Sequence, residues 1–266
     1  MPSFHQPLIG AAGLAAALLT HAASSDAHPP NIVVILADDL GYGDSIAELD
    51  WEVGEIVAAL ERHKLADRTL LLFTSDNGTV LFDGYYDRSA EDTGVHRPAG
   101  GLRGWKYLRF EGGTRVPFIA VWPGHVPAGT TDRWLSLVDL PATCAALTGQ
   151  TLPPGAAPDS INLVPLLLGK SDGPVRTQVV DHGIGNVLAL REGDWKYIPA
   201  NADTSTGIGR GADPRDTRFA EALVLEPLLF NLADDPGENR NVAGEHPELV
   251  RRLATELEEI RRRSSR

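Results

Sequence analysis

Two pairs of oxygen donors close two apolar runs of this chain. Asp38 and Asp39 follow Asn31-Ile-Val-Val-Ile-Leu-Ala37, and Asp76 and Asn77 follow Thr69-Leu-Leu-Leu-Phe-Thr-Ser75. Carboxylates and amide carbonyls are hard ligands of the kind that calcium or magnesium selects. In open α/β sheets the C-terminal ends of strands are also where ligands bind. Taken singly, an Asp-Asp step can cap a loop and Asp76-Asn77-Gly78 is an ordinary turn. Together the two pairs point to a metal-assisted hydrolase.

The donors need a frame that brings them together. Asn31 to Ala37 is a continuous apolar, β-branched run, which reads as a strand buried on both faces of a parallel sheet. Ser45 to Lys64 reads as a helix, with Ile46, Leu49, Val53, Ile56, Val57 and Leu60 on one face. Ser45 and Glu48 form its capping box, and Gly54 inside it implies a close packing contact. Thr69 to Thr74 is the second buried strand. Strand, helix, strand is a βαβ unit, which puts both donor pairs on one sheet edge.

Further along, Phe118 to Trp122 reads as a strand and Leu135 to Leu147 as a helix. Short runs at Gln178–Val180, Val187–Leu190, Trp195–Ile198 and Leu228–Leu232 suggest a small antiparallel sheet. A last helix carries Leu249, Val250, Leu253, Leu257 and Ile260 on one stripe. The fold class is therefore α/β: a mostly parallel sheet with flanking helices, plus a small C-terminal antiparallel sheet and terminal helix. The expected division is a leader at 1–27, an α/β domain at 28–171 and a C-terminal α+β subdomain at 172–266.

The 266 residues carry a formal net charge of −12. That balance disfavours non-specific nucleic-acid binding, which depends on neutralising phosphates with Lys and Arg. The apolar run from Leu8 to Leu19, followed by Ser25-Asp26-Ala27, has the length of a signal-peptide core and is too short to span a membrane. A secreted or periplasmic location is expected. Cys144 is the single cysteine, so no intrachain disulfide forms, and its apolar surroundings read as core.

Four segments carry a family resemblance. Pro30 to Asp44 is similar to the opening strand of the sulfatases, in the alkaline phosphatase superfamily. Leu70 to Gly78 resembles their second metal-binding strand, and Gly101-Leu-Arg-Gly-Trp-Lys-Tyr-Leu-Arg-Phe-Glu-Gly-Gly-Thr-Arg-Val-Pro117 their lysine-bearing segment. Leu229-Phe-Asn-Leu-Ala-Asp-Asp-Pro-Gly-Glu-Asn-Arg-Asn-Val242 resembles their C-terminal signature. The resemblance implies one calcium ion held by Asp38, Asp39, Asp76 and Asn77, with Lys106 as a sulfate contact. It implies hydrolysis of a sulfated small molecule or glycan. Glu111-Gly112-Gly113 and Arg115 are expected to shape a turn and pair locally, and His96 and His182 to be exposed loop residues.

The same resemblance exposes a gap. Sulfatases attack with formylglycine, made from Cys or Ser in a Cys/Ser-x-Pro/Ala-x-Arg motif downstream of the first aspartate pair, and this chain has no such motif. Cys144 precedes Ala-Ala-Leu, Ser45-Ile-Ala-Glu48 lacks the arginine, and Asp172-Gly-Pro-Val-Arg176 begins with aspartate. Between Asp44 and Asp76 there is room for one helix and one strand, so the Asp44–Ser45 junction reads as an internal deletion. The expectation is an inactive or nearly inactive chain. The alternative is a non-catalytic calcium- or sulfated-glycan-binding protein. A phosphatase or phosphodiesterase of the same superfamily would need a histidine cluster that has no match here.

Overall fold

The structure, a computed structural model, describes residues 28–38, 43–81, 94–171, 173–183, 187–200 and 224–264. The expected leader, Asp39 and residues 201–223 lie outside the described residues.

Strand β1 (Asn31–Ala37) passes through helix α1 (Gly43–Arg62) to strand β2 (Thr69–Ser75), and β1 and β2 pair in parallel. This is the expected βαβ unit. Strand β3 (Phe118–Val121) then pairs antiparallel with β2. The sheet is thus mixed, with β2 in the centre of the order β1-β2-β3. The α/β class stands, although one of two pairings, rather than most, is parallel.

Burial follows position in the sheet. Central β2 holds Leu70 and Leu72 at 0% and 1% exposure, whereas Val34 and Leu36 of β1 are 43% and 55% exposed. The expectation that β1 is covered on both faces is therefore corrected: among the described residues it lies at the edge of the sheet with Val34 and Leu36 exposed, which an apolar run alone does not reveal. Helix α1 shows the same lack of cover. None of its described side chains is buried, and Ile46, Val57 and Trp51 are exposed.

Helix α1 begins at Gly43, so Ser45 lies inside it and does not cap it, and the Asp44–Ser45 junction falls within one helix. Its Gly54 makes no close contact, since a Cβ there would meet nothing within 4 Å.

The second half builds around a four-stranded antiparallel sheet of β4 (Gln178–His182), β5 (Leu188–Glu192), β6 (Trp195–Ile198) and β7 (Leu228–Asn231), in sequential order. Side chains alternate across it as the strand period requires. Leu190, Tyr197 and Leu229 face Leu253 and Leu257 of the C-terminal helix Pro247–Ser264. Ala189, Ile198 and Phe230 face the other way, onto Leu108 and Phe110 from the first half of the chain. The terminal helix uses the expected apolar stripe. Before it, the short helix Glu111–Thr114, the helix Leu140–Thr148 and the turn Val164–Leu167 line the connection. No helix among the described residues is long and apolar enough to cross a membrane.

Candidate functional site

The register of the parallel pair builds the donor edge. Ala37 pairs with Ser75 as the last step of the ladder, so Asp38 and Asp76 leave adjacent strands at the same level. Neighbouring strands lie about 4.8 Å apart, a separation two carboxylates can bridge through one cation. Ser75 ties the two ends: its Oγ donates to Ala37 O at 2.9 Å, and Asp76 N donates to the same oxygen at 3.3 Å. Asn77 N donates to Asp76 Oδ1 at 2.8 Å, and Asn77 Nδ2 donates to Gly78 O at 2.9 Å. Asp38 and Asp76 are exposed to solvent and Asn77 is half-buried.

The described donors are two carboxylates and an amide, all hard oxygen ligands that fit part of a calcium shell. No three His, Cys, Asp or Glu side chains converge on a metal position among the described residues. Asp39, the fourth expected ligand, lies outside them.

Behind the donor edge runs a strap, residues 101–115. Lys106 N donates to Thr79 O at 2.9 Å, which ties the expected sulfate contact two residues past Asn77. Tyr107 takes φ 81°, a left-handed conformation uncommon outside glycine. The reversal sends Leu108 and Phe110 into the core of the second sheet while Lys106 stays half-buried, its Nζ 5.6 Å from the Tyr107 ring centroid.

Gly112 and Gly113 then press against Gly78, and Gly78 N donates to Gly113 O at 2.9 Å. A cavity of about 260 Å³ opens beside this contact, lined by Asn77, Gly78, His96, Leu102, Gly112 and Arg115 among others. His96 is exposed as expected, and its place on the cavity wall is new. Arg115 lines this cavity together with Asn77, and its N donates to Glu111 O at 2.8 Å, closing the expected turn. No local sequence pattern marks it as a cavity residue. Lys106 does not line this cavity.

Glu111 keeps the expected local link, since its O accepts from Arg115 N at 2.8 Å, but its carboxylate forms its ion pairs with distant residues. Fully buried Lys196 reaches Glu111 Oε1 at 2.8 Å, Asp181 Oδ2 at 3.1 Å and Glu238 Oε1 at 3.6 Å. Arg191 reaches Glu111 Oε2 at 3.2 Å and lies over the Trp134 ring at 4.0 Å. Glu238 is also fully buried, with φ 53°, and its Oε2 accepts from Glu111 N at 2.7 Å.

Electrostatics sort these groups. Burial raises the Glu238 carboxyl to about 7, against the opposing pull of Lys196 and the Glu111 amide. Burial would raise Glu111 too, but Lys196 and Arg191 outweigh it and hold its carboxyl below the usual range. Burial alone would lower the Lys196 pKa, but the Asp181, Glu111 and Glu238 carboxylates outweigh it and leave the ammonium more firmly protonated.

The remaining motif look-alikes have structural roles. Arg176 forms hydrogen bonds with both carboxylate oxygens of Asp139, which is fully buried and also accepts from Ser136 N and Ile161 N. Cys144 is partly buried on the helix Leu140–Thr148, and burial pushes its thiol pKa up, away from a reactive thiolate. His182 is exposed as expected, but on the last residue of β4 rather than in a loop.

Comparison with known proteins matches this architecture. The Sulfatase family model matches residues 39–150. An N-acetylgalactosamine-6-O-sulfatase of Bacteroides thetaiotaomicron is 42% identical over 222 residues, covering 83% of this chain and 42% of the relative. Human arylsulfatase A is 35% identical over 226 residues, covering 80% of this chain and 41% of its own length. A solved structure from work on glycosaminoglycan metabolism by Bacteroides thetaiotaomicron superposes with a TM-score of 0.71 at 41% identity, covering 84% of this chain and 45% of that one. The chain spans less than half the length of each of these relatives. On the strength of these matches and of the shared fold, the chain belongs to the sulfatase family.

Proposed function

We propose that this chain carries the calcium half of a sulfate-ester hydrolase site and lacks the half that attacks. The observation that supports it is the register of β1 and β2, which sets Asp38 and Asp76 level on adjacent strands. Asp38, Asp39, Asp76 and Asn77 are the proposed ligands, and Lys106 the proposed sulfate contact. Calcium bound there would neutralise the peripheral oxygens of a sulfate ester. Arg115 lines the cavity beside Asn77 and Lys106 is bonded through its backbone to Thr79, so two cations belong to the segments that meet this loop, a favourable setting for an anionic substrate in a chain of net negative charge.

The substrate class is a sulfated sugar, by analogy with the relatives named for N-acetylgalactosamine-6-sulfate and glycosaminoglycans. The Cys/Ser-x-Pro/Ala-x-Arg motif is absent from the sequence, so the covalent step has no nucleophile. The exposed faces of β1 and α1 accord with a segment lost at Asp44–Ser45. The leader at 1–27 implies export.

Two measurements on the purified chain test this reading. Calorimetry should show one calcium site that disappears in Asp76→Ala, while an aryl sulfate assay should show no turnover above buffer. Turnover at an ordinary enzymatic rate that is abolished by Asp39→Ala would overturn the inactive reading. Absence of calcium binding would overturn the metal site.

A further inference from the structure

A continuous run of short contacts joins the buried ion cluster to the donor edge. Lys196 Nζ donates to Glu111 Oε1 at 2.8 Å, and Glu238 Oε2 accepts from Glu111 N at 2.7 Å, so both the side chain and the backbone of Glu111 are held. One residue on, Gly112 N donates to Arg103 O at 2.7 Å. Two residues on, Gly113 O accepts from Gly78 N at 2.9 Å. Gly78 directly follows Asn77.

These contacts have no slack. A Cβ on Gly112 would stand 2.5 Å from Gly104 O, and one on Gly113 2.4 Å from both Leu108 O and Trp105 O. Arg103 closes the far side, with Nη1 donating to Glu238 O at 3.1 Å and its guanidinium 4.1 Å from the Phe110 ring centroid. A shift of Glu111 therefore moves the shelf on which the Asp76–Asn77 loop rests.

We propose that Lys196 is a positioning residue for the Asp76–Asn77 loop: its ammonium fixes Glu111, and Glu111 fixes the Gly112–Gly113 shelf to which Gly78 is bonded. The assignment rests on reading Asp76 and Asn77 as site residues. A buried ion cluster that only stabilised its own sheet would leave this shelf no more sensitive than the rest of the fold.

Amide hydrogen exchange separates the two roles. Lys196→Met leaves three carboxylates buried without their shared cation and can unfold the chain. Glu111→Gln is therefore the decisive variant, since it keeps the shape and removes the charge that Lys196 and Arg191 hold. The expected result is exchange at Gly78 faster by about tenfold or more, with the β5–β6 ladder changed by less than about threefold, a local rather than global opening.

Unchanged exchange at Gly78 in a folded Glu111→Gln chain would overturn the proposal, as would an equal rise at Gly78 and in the ladder. Terbium luminescence on the unmodified chain tests the metal reading separately. If terbium does not bind, the metal site fails, and exchange at Gly78 still decides the positioning role.

Discussion

A Cβ on Gly78 would lie 1.9 Å from the carbonyl oxygen of Gly112, closer than any atom can stand. Two backbones meet there without a side chain between them, so the Asp76–Asn77 loop and the shelf beneath it form one packed unit. Gly78→Ala should force them apart and cost on the order of 1–3 kcal/mol. Urea unfolding measures it. Gly54→Ala, in open space on α1, is the control and should gain up to about 1 kcal/mol from helix propensity.

Arg176 and Asp139 form a buried pair with Asp139 at 0% exposure. Arg176→Met removes the cation and strands the carboxylate. The expected loss is about 3–5 kcal/mol, read as a lower urea midpoint with an unchanged slope. A loss below about 1 kcal/mol would place this pair with surface ion pairs.

The pH dependence follows from Glu238. Its folded pKa is about 7 against an ordinary value of 4.5, so the folded chain binds more protons than the unfolded chain between those values. The stabilisation is fully present below about 4.5 and is lost as pH rises through about 7. Glu111, Glu192 and Asp235 are shifted the opposite way. Their stabilisation is present above the normal carboxylate range and disappears as pH falls through and below it, so they leave the window from about 5 to 7 to Glu238. Unfolding free energy should decline across that window, by at most about 3 kcal/mol. Glu238→Gln should flatten the decline; a decline of the same size in that variant would show that another group is responsible.

The outer edge of β1 has no partner strand among the described residues, and the strand carries no charged residue to discourage one. Self-association through this edge is the expected consequence. Val34→Lys with Leu36→Glu should raise the concentration at which sedimentation still shows a monomer. If the double variant associates as the parent does, the contact lies elsewhere.

Local pattern made much of this fold legible. The bounds of β1 and of Trp195–Ile198 match the sequence reading, and β2 differs by one residue, because apolar runs between turn residues are local signals. The stripe on the terminal helix was readable for the same reason. What stayed hidden depends on other parts of the chain. Val34 looks like a core residue in its own window, yet it is exposed on a strand that has one neighbour among the described residues. Glu111 finds its cation 85 positions away, a separation that carries no periodic mark. The donor pairs were visible as chemistry, and their level placement followed once the βαβ unit was read. Arg115, at the end of the strap, and His96, before it, line the cavity from segments that have little regular structure.

The side-chain alternation on β6 carries a further consequence. Lys196 points toward the strap while its neighbours Trp195 and Tyr197 point toward the terminal helix, so one four-residue strand serves two layers at once. A chain cut after residue 171 would retain every proposed ligand, yet Glu111 would lose Lys196 and Arg191, the two cations ion-paired with it, and Phe110 the surface that covers it. The proposed ligands and their anchor thus lie on opposite sides of the division expected at 171/172, and a chain cut there should lose the loop geometry.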